Sequence, residues 1–512
     1  MAGLAHVVDE VIGAIKPVGG VVGLYRAGDT EFLKGFGYAD FENRQPFTPD
    51  TRFRCCSVTK QFTVTLILLA QAEGRLSLDD TPNRYLPWLP AAARATTLRN
   101  LATNQSGIPD YWCIAMLTGA RAESRFRAKD GRRLVEQTNW LDFEPGSRFA
   151  YSNTNFLILG WIAEAVFGAP LAELMETKIL GPLGMTRSAL SPRTSEPLEH
   201  GAVGYEPGPD GKPMRAPVDI EWFGDAGLVS CVGDLARWAR LFDGHGPAPL
   251  VACAKKLGVA GTYRDGRPAP YRFGVSRLTL EDHTTLVHFG ALRGWRMALM
   301  HIESAALTVI AAFNSMVNPA QVVRPLATYW LTGKRLDVSP ESALDAPVVP
   351  YRSRELGLIV ETQRSEDRLY IDAGGRADTL ARTADGWATP DGRVTADIRS
   401  DGGTVRFVAE NVDLNLSPLT HGAGVTPGHY TCAALQSELV ISSDGSAATF
   451  LGPLGCAESL TLETVGEHHA LLRCERALDH PAPGAFTLYT QPHQRSLQIG
   501  CWAAGHTVWT LR

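Results

Sequence analysis

The fold class this sequence predicts is α+β, an antiparallel sheet flanked by helices, followed by two small antiparallel β units, barrels or sandwiches. Three observations predict it. At 512 residues the chain exceeds what one hydrophobic core holds, so two or three domains are expected. Over the first two-thirds, strand patterns stand at both ends with a block of helical pattern between them. Beyond residue 350 the texture changes to short alternating runs divided by Gly, Asp and Ser.

In chain order, an N-terminal helical segment precedes Gly19-Gly20-Val21-Val22-Gly23-Leu24-Tyr25-Arg26, a strand, and Ala27-Gly28-Asp29 supplies the turn of a hairpin returning through Thr30 to Tyr38. Val58 to Glu73 carries Phe62, Val64, Leu66, Ile67, Leu69 and Ala70 around most of its circumference, which predicts a central buried helix capped by Gly74. Turn signals at Phe143-Glu144-Pro145-Gly146-Ser147 lead into Tyr151-Ser152-Asn153 and an amphipathic helix through Phe156, Leu159, Ile162 and Val166. A third loop-to-helix passage starts at Gly224-Asp225-Ala226-Gly227. Strands are expected at Tyr271 to Val275, Thr285 to Phe289, Arg296 to His301 and Leu307 to Phe313. Leu344 to Pro350 has the composition of a linker, and Thr426-Pro427-Gly428 divides the remainder. The expected domains are therefore 1–333, 344–419 and 426–512.

Composition narrows the function classes. Hydrophobic residues make up 45% and charged residues 20%, and a net charge of −5 offers no basic field to nucleic acid or anionic lipid. Asp9 and Glu10 interrupt the N-terminus before any apolar run develops, and no apolar stretch is long enough to span a bilayer. Nine cysteines are scattered, and an odd number cannot all pair within one chain, so reduced thiols and a cytoplasmic location are expected. No His-Glu-x-x-His or Gly-x-Ser-x-Gly is present, which disfavours a metallopeptidase and an α/β-hydrolase; neither metal nor cofactor is expected.

The chemistry centres on Cys55-Cys56-Ser57-Val58-Thr59-Lys60. On a helix Ser57 and Lys60 share one face, and a desolvated lysine can take the proton that a serine nucleophile must lose. The same spacing also describes a plain helix cap with a solvated amine, and Cys56 is a second, weaker candidate nucleophile with no histidine beside it. Tyr151 and Asn153, two apart, face one way if the segment is extended, and offer a phenol for proton transfer and an amide to orient lysine and substrate. In His288-Phe289-Gly290-Ala291, Gly290 admits close approach to a strand edge, and the Ala291 N–H can join that of Ser57 in an oxyanion hole.

These three motifs, in this order and at these intervals, resemble those of the penicillin-recognising serine hydrolases, the class C β-lactamase and D-Ala-D-Ala carboxypeptidase superfamily. Asn104-Gln105-Ser106-Gly107, Asp110-Tyr111-Trp112, Gly290-Ala291-Leu292-Arg293-Gly294-Trp295-Arg296 and Asp479-His480-Pro481-Ala482-Pro483-Gly484 most resemble the bacterial D-aminopeptidases. The resemblance implies a β-lactamase-like catalytic domain with two C-terminal barrels. It also implies a loop of the last barrel reaching the cleft, with Asp479 reading the substrate ammonium and Arg293 joining Gly290 and Ala291 as substrate contacts. A histidine where relatives present a lysine fits a substrate without a C-terminal carboxylate.

The activity implied is acyl-enzyme hydrolysis of peptides, amides and esters that begin with a D-residue, D-Ala first. Ser57 would be the nucleophile, Lys60 with Tyr151 the base, and Tyr151 or His288 the donor to the leaving amine. A β-lactam as inhibitor and a homodimer are further expectations. An esterase or D-Ala-D-Ala carboxypeptidase of the same superfamily, or a sensor that acylates without turnover, remain alternatives.

Overall fold

The computed structural model describes residues 2–512 apart from 122, 217–218, 336–346, 354, 374–376, 385, 390–393, 399–404, 410–411, 421, 457–458, 475–484, 492–494 and 502–503. Its first part is an antiparallel sheet between two helical layers. Helix α1 (Ala2–Ile15) leads into the hairpin β1 (Gly19–Arg26) and β2 (Asp29–Asp40); then come α2 (Thr59–Ala72), α3 (Tyr111–Leu117) and α4 (Asn153–Phe167). The chain returns to the sheet through β3 (Ser276–Leu280), β4 (His283–Leu292), β5 (Trp295–Ile302) and β6 (Leu307–Phe313), and α5 (Ala320–Thr332) closes the domain. The strand order is β3-β4-β5-β6-β1-β2, with Gln45–Pro46 extending past β2, so the central pair, β1 and β6, joins the two ends of the domain.

Alternation along β1 and β6 sends side chains to opposite faces. Val22, Leu24, Val309 and Ala311 meet Val7, Val8 and Val11 of α1 and Val322 and Leu326 of α5. Val21 and Ile310 face the layer built on α2, whose residues are buried all round from Thr59 to Ala70. The predicted central helix is therefore present, but it begins at Thr59 after one 3₁₀ turn, Cys56–Val58. The expected strand over 271–275 is absent: Tyr271 makes a single bridge to Ser276, and β3 starts there. Gly274, at φ +74°, bends the chain, and a Cβ on it would lie 2.9 Å from the Lys60 carbonyl carbon. The bend is pressed onto the first turn of α2.

Two closed antiparallel barrels follow. The first runs from Val349–Ser353 to Val412–Pro418 in eight strands, sealed by Tyr351↔Pro418 and Ser353↔Leu416, around Val360, Ile371, Leu380, Phe407 and Leu414. The second runs from Gly428–Cys432 to Ala504–Leu511, sealed by pairing of Ser437–Ile441 with Ala447–Gly452, around Leu439, Phe450, Phe486 and Trp509. Closure removes exposed sheet edges, which suits strands this short. The barrels meet through Arg473, whose guanidinium bonds both Glu361 oxygens at 2.7 Å. The second barrel also docks on the helical layer of the first domain: the Leu454 N–H donates to the Thr118 carbonyl at the end of α3 at 3.0 Å. Among the described residues no single helix is long and apolar enough to cross a membrane.

Where all three units meet, Asp142 faces a cavity of about 220 Å³ lined also by Trp140, Arg148, Leu358, Cys501 and Gly505. Burial pushes the Asp142 carboxyl up to about 6 against the opposing pull of the Gly505 N–H and the Arg148 guanidinium. A carboxyl raised in the folded state favours folding below its unfolded pKa and loses that contribution as pH climbs through about 6. Its side chain is half-buried and opens onto a cavity that admits water, so the cost at neutral pH is about 2 kcal/mol or less. Asp142→Asn is accordingly expected to be more stable than the parent at pH 7, with the gain vanishing toward about pH 4. Thermal melts of both proteins across that range check it.

Candidate active site

Ser57 sits in the 3₁₀ turn between the short strand Phe53–Arg54 and α2. The preceding Cys56 has φ +49°, a left-handed conformation that costs an L-residue free energy, while its thiol contacts the Arg54 carbonyl at 3.4 Å. The turn puts Ser57 and Lys60 on one side, and the Lys60 Nζ lies 3.0 Å from the Ser57 Oγ. Lys60 is fully buried. Its other acceptors are the Asn153 Oδ1 at 2.8 Å and the backbone carbonyl of Asp225 at 2.9 Å.

These three neighbours define what the amine can do. A carbonyl and an amide oxygen only accept, whereas a serine hydroxyl both donates and accepts. A protonated Lys60 donates to all three; a neutral one donates to Asn153 and Asp225 and receives the Ser57 proton. The same geometry holds both protonation states, which is what a base beside a nucleophile requires.

Asn153 is oriented from behind. The Asp110 Oδ2 accepts from both its backbone N–H, at 2.6 Å, and its Nδ2, at 2.9 Å, which turns Oδ1 toward Lys60. The Asp110 Oδ1 meanwhile accepts from the Trp112 N–H at 2.8 Å and caps α3. Asp225 is buried too, its carboxylate receiving the Tyr111 hydroxyl at 2.7 Å. Burial raises both carboxyls above the usual range, and the Lys60 charge pulls both back. A lysine enclosed between two buried acids is electrostatically compensated without either acid touching its amine.

Ser152 is extended (φ −140°, ψ 117°), so Tyr151 and Asn153 project to the same side. The Asn104 side chain holds this strip, accepting from the Ser152 N–H at 3.2 Å and the Asn155 Nδ2 at 2.9 Å; its backbone carbonyl takes the Ala150 N–H at 3.0 Å. Tyr151 is half-buried, and the Lys60 Nζ stands 4.9 Å from its ring centroid. The ammonium therefore faces the ring as well as its three oxygens.

The third wall is β4. A Cβ on Gly290 would lie 2.8 Å from the Cys55 carbonyl oxygen and 2.9 Å from the Cys56 Cβ, so only glycine lets the strand run this close to the turn that carries Ser57. Pairing with β3 stops at Ser276↔Val287, which leaves the strip from His288 to Leu292 beyond β3, with Ala291 on it.

His288 joins the site through Tyr271, delivered by the Gly274 bend: the Tyr271 hydroxyl is 3.1 Å from the His288 Nε2. The Nδ1 faces the Phe289 carbonyl at 2.8 Å and must donate to it. Burial, with the Lys60 charge second, presses the imidazole down to about 3, while burial holds the Tyr271 phenol well above its ordinary range. His288 is thus neutral, with its one proton engaged and its Nε2 receiving Tyr271. The structure thus brings His288 to the site with both ring nitrogens engaged.

Arg293 lies just past the strip from His288 to Leu292. β4 ends at Leu292, and the turn sends the guanidinium to Glu206, with Nε–Oε2 3.1 Å and Nη2–Oε1 2.7 Å in a buried pair. Asp479 lies outside the described residues.

Residues 4–331 match the family model described as Beta-lactamase, and residues 350–510 match that described as D-aminopeptidase, domain B. Curated relatives include a D-aminopeptidase of Gluconobacter oxydans (strain 621H), 33% identical over 95% of this chain and 94% of its own. A D-aminopeptidase of Brucella anthropi is 32% identical over 96% and 94%. Among solved structures, the octameric penicillin-binding protein homologue from Pyrococcus abyssi aligns with TM-score 0.60 at 22% identity, over 89% of this chain and all but 1% of its own. The D-amino acid amidase from Ochrobactrum anthropi SV3 aligns with TM-score 0.52 at 23% identity, over 62% and 92%. At such identity these two structures speak for the fold alone.

Proposed function

The chain belongs to the beta-lactamase family and, by its C-terminal third and its full-length relatives, to the D-aminopeptidases within it, and from that premise we propose how its residues release an N-terminal D-amino acid. The protein is a serine hydrolase acting on peptides, amides and esters with a free amino end, through an acyl-enzyme. Ser57 attacks the carbonyl, and its proton passes to Lys60, aided by Tyr151. The oxyanion rests between the N–H groups of Ser57 and Ala291, with Gly290 leaving room for the acyl group. Tyr151 and Lys60 return the proton to the leaving amine, and water then enters by the reverse route. Asn153 steers the Lys60 amine. The observation that carries this reading is the 3.0 Å contact between the Lys60 Nζ and the Ser57 Oγ, inside a cage of fixed acceptors.

Preference for D-Ala, and Asp479 as the reader of the ammonium, are proposed from the likeness to the D-aminopeptidases. A β-lactam as slow acylating inhibitor and a homodimer belong to the same reading. D-Ala-p-nitroanilide and its L-enantiomer, assayed with the purified protein, are expected to differ in kcat/KM by more than about a hundredfold, a difference of about 3 kcal/mol in transition-state binding. Equal rates would overturn the assignment. Asp479→Asn should raise KM for the free amine substrate more than for its N-acetylated analogue.

His288 supplies a separate expectation. Because it stays neutral down to about 3, it contributes no inflection to the pH–rate profile between about pH 5 and 9. His288→Asn keeps a donor for Phe289 and an acceptor for Tyr271, so kcat/KM against pH should retain its shape even where its height changes.

A further inference from the structure

Outside the reaction centre, one pair of nucleophilic groups spans two domains. Cys113, in α3, and Cys501, at the end of the second-barrel strand Ser496–Cys501, bring their sulfurs to 3.6 Å in a buried contact. They are 388 residues apart in sequence. Both are free thiols, and their surroundings differ. Cys113 is fully enclosed, at 0% exposure, and contact with Cys501, then burial, holds its thiol well above the ordinary value. Cys501 is 3% exposed and lines the cavity of about 220 Å³ at the junction of the three units, beside Trp140, Asp142 and Arg148. A cavity of that size admits molecules as small as water or hydrogen peroxide.

We propose that Cys113 and Cys501 are a site of oxidative cross-linking between the catalytic domain and the second barrel, with a peroxide entering through the junction cavity and Cys501 reacting first. The Cys501 sulfur attacks a peroxide oxygen, the O–O bond breaks, and the departing oxygen leaves as water with the thiol proton. Cys501 is then a sulfenic acid. The Cys113 sulfur, already in contact, attacks the Cys501 sulfur; the S–O bond breaks and the hydroxyl leaves as a second water with the Cys113 proton. Two thiols and one peroxide give one disulfide and two waters, the two sulfurs losing the two electrons that the O–O bond gains.

The consequence is mechanical. α3 carries Asp110 at its N-cap and receives Leu454 of the second barrel at Thr118. A bond from Cys113 to Cys501 fastens that barrel to the helix whose first residues hold Asn153. Neither sulfur touches the reacting groups, so the oxidised protein keeps its reaction and gains attachment.

The full-length protein, reduced, desalted and treated with hydrogen peroxide at about pH 8, then alkylated and digested, is expected to yield one peptide pair joined at Cys113 and Cys501, reversible by dithiothreitol. Its melting temperature should rise by about 5 °C, and that of Cys113→Ala/Cys501→Ala should not. Dimedone should label Cys501 in Cys113→Ala, where the partner that would consume the sulfenic acid is gone, and leave Cys113 unlabelled in Cys501→Ala. Oxidation confined to the exposed Cys456, with the 113–501 pair still reduced, would overturn the proposal. So would labelling of Cys113 in Cys501→Ala, which would deny the order of attack.

Discussion

Ser57→Ala and Lys60→Met are each expected to lower kcat/KM by about ten-thousandfold, and to part company in stability. The catalytic losses are similar because the two groups act as a unit: a serine without its base is a weak nucleophile, and the base without the serine has nothing to activate. Removing the Ser57 hydroxyl takes one acceptor from the Lys60 amine and leaves the cation in place with the Asn153 and Asp225 oxygens, at a cost of about 1 kcal/mol. Lys60→Met is different. It fills the volume and deletes a charge that pulls on both Asp110 and Asp225, two buried acids whose carboxyls stand above the usual range even with Lys60 present.

Without that cation both carboxyls move further up. An acid whose folded pKa exceeds its unfolded one stabilises below the unfolded value, and the contribution disappears as pH rises. Lys60→Met should therefore approach the parent in stability near about pH 5 and fall short of it by about 3 kcal/mol at about pH 8. Ser57→Ala should track the parent at both. Melts at the two pH values, with steady-state rates on one D-aminoacyl amide, separate the cases. A Lys60→Met protein with parental pH dependence would mean that the two acids are compensated by something other than the lysine.

That contrast turns on residues which a motif search passes over, for a physical reason. Ser57 and Lys60 are legible because three residues is close to one helical turn, so spacing alone places them together. Tyr151 and Asn153 are legible because two residues is one strand repeat. Asp225 contributes its backbone carbonyl to Lys60 across 165 residues of chain, and a carbonyl leaves no mark on residue identity. Asp110 looks in sequence like the helix cap it also is; the oxygen that serves Asn153 has a partner 43 residues away and no local sign. Tyr271 was hidden by its neighbours: alternation over 271–275 suggested a strand, whereas Gly274, packed on the Lys60 backbone, makes the bend that brings Tyr271 to His288. The Glu206 partner of Arg293 is likewise 87 residues away, with no local sign. Texture served better than motif in the C-terminal third, because barrel strands report themselves as alternation: Val412–Pro418 buries every second residue through Leu416.

Asp110→Asn tests whether that hidden carboxylate governs the amine. The carboxylate gives one oxygen to the Trp112 N–H and the other to two donors of Asn153. An asparagine has a single oxygen to offer. With its oxygen toward Trp112, its NH₂ confronts the Asn153 N–H and Nδ2; turned the other way, the cap on α3 is lost and the NH₂ confronts the Trp112 N–H. In the first arrangement Asn153 relieves the clash by rotating its amide, which puts Nδ2 against the Lys60 Nζ, donor against donor. Stability should fall by about 2 kcal/mol, the cost of leaving buried donors unmatched. kcat should fall about a hundredfold, with KM within about a factor of three of the parent, because Asp110 acts on Lys60 through Asn153 and not on substrate. Asp110→Glu does not restore the rate, since the longer side chain cannot meet Trp112 and Asn153 from the same Cα. A structural role confined to the α3 cap would lower the melting temperature and spare kcat. The opposite pattern, a lost kcat in a protein still folded at the assay temperature, identifies Asp110 as the residue that positions Asn153, and through it the Lys60 amine, beside Ser57.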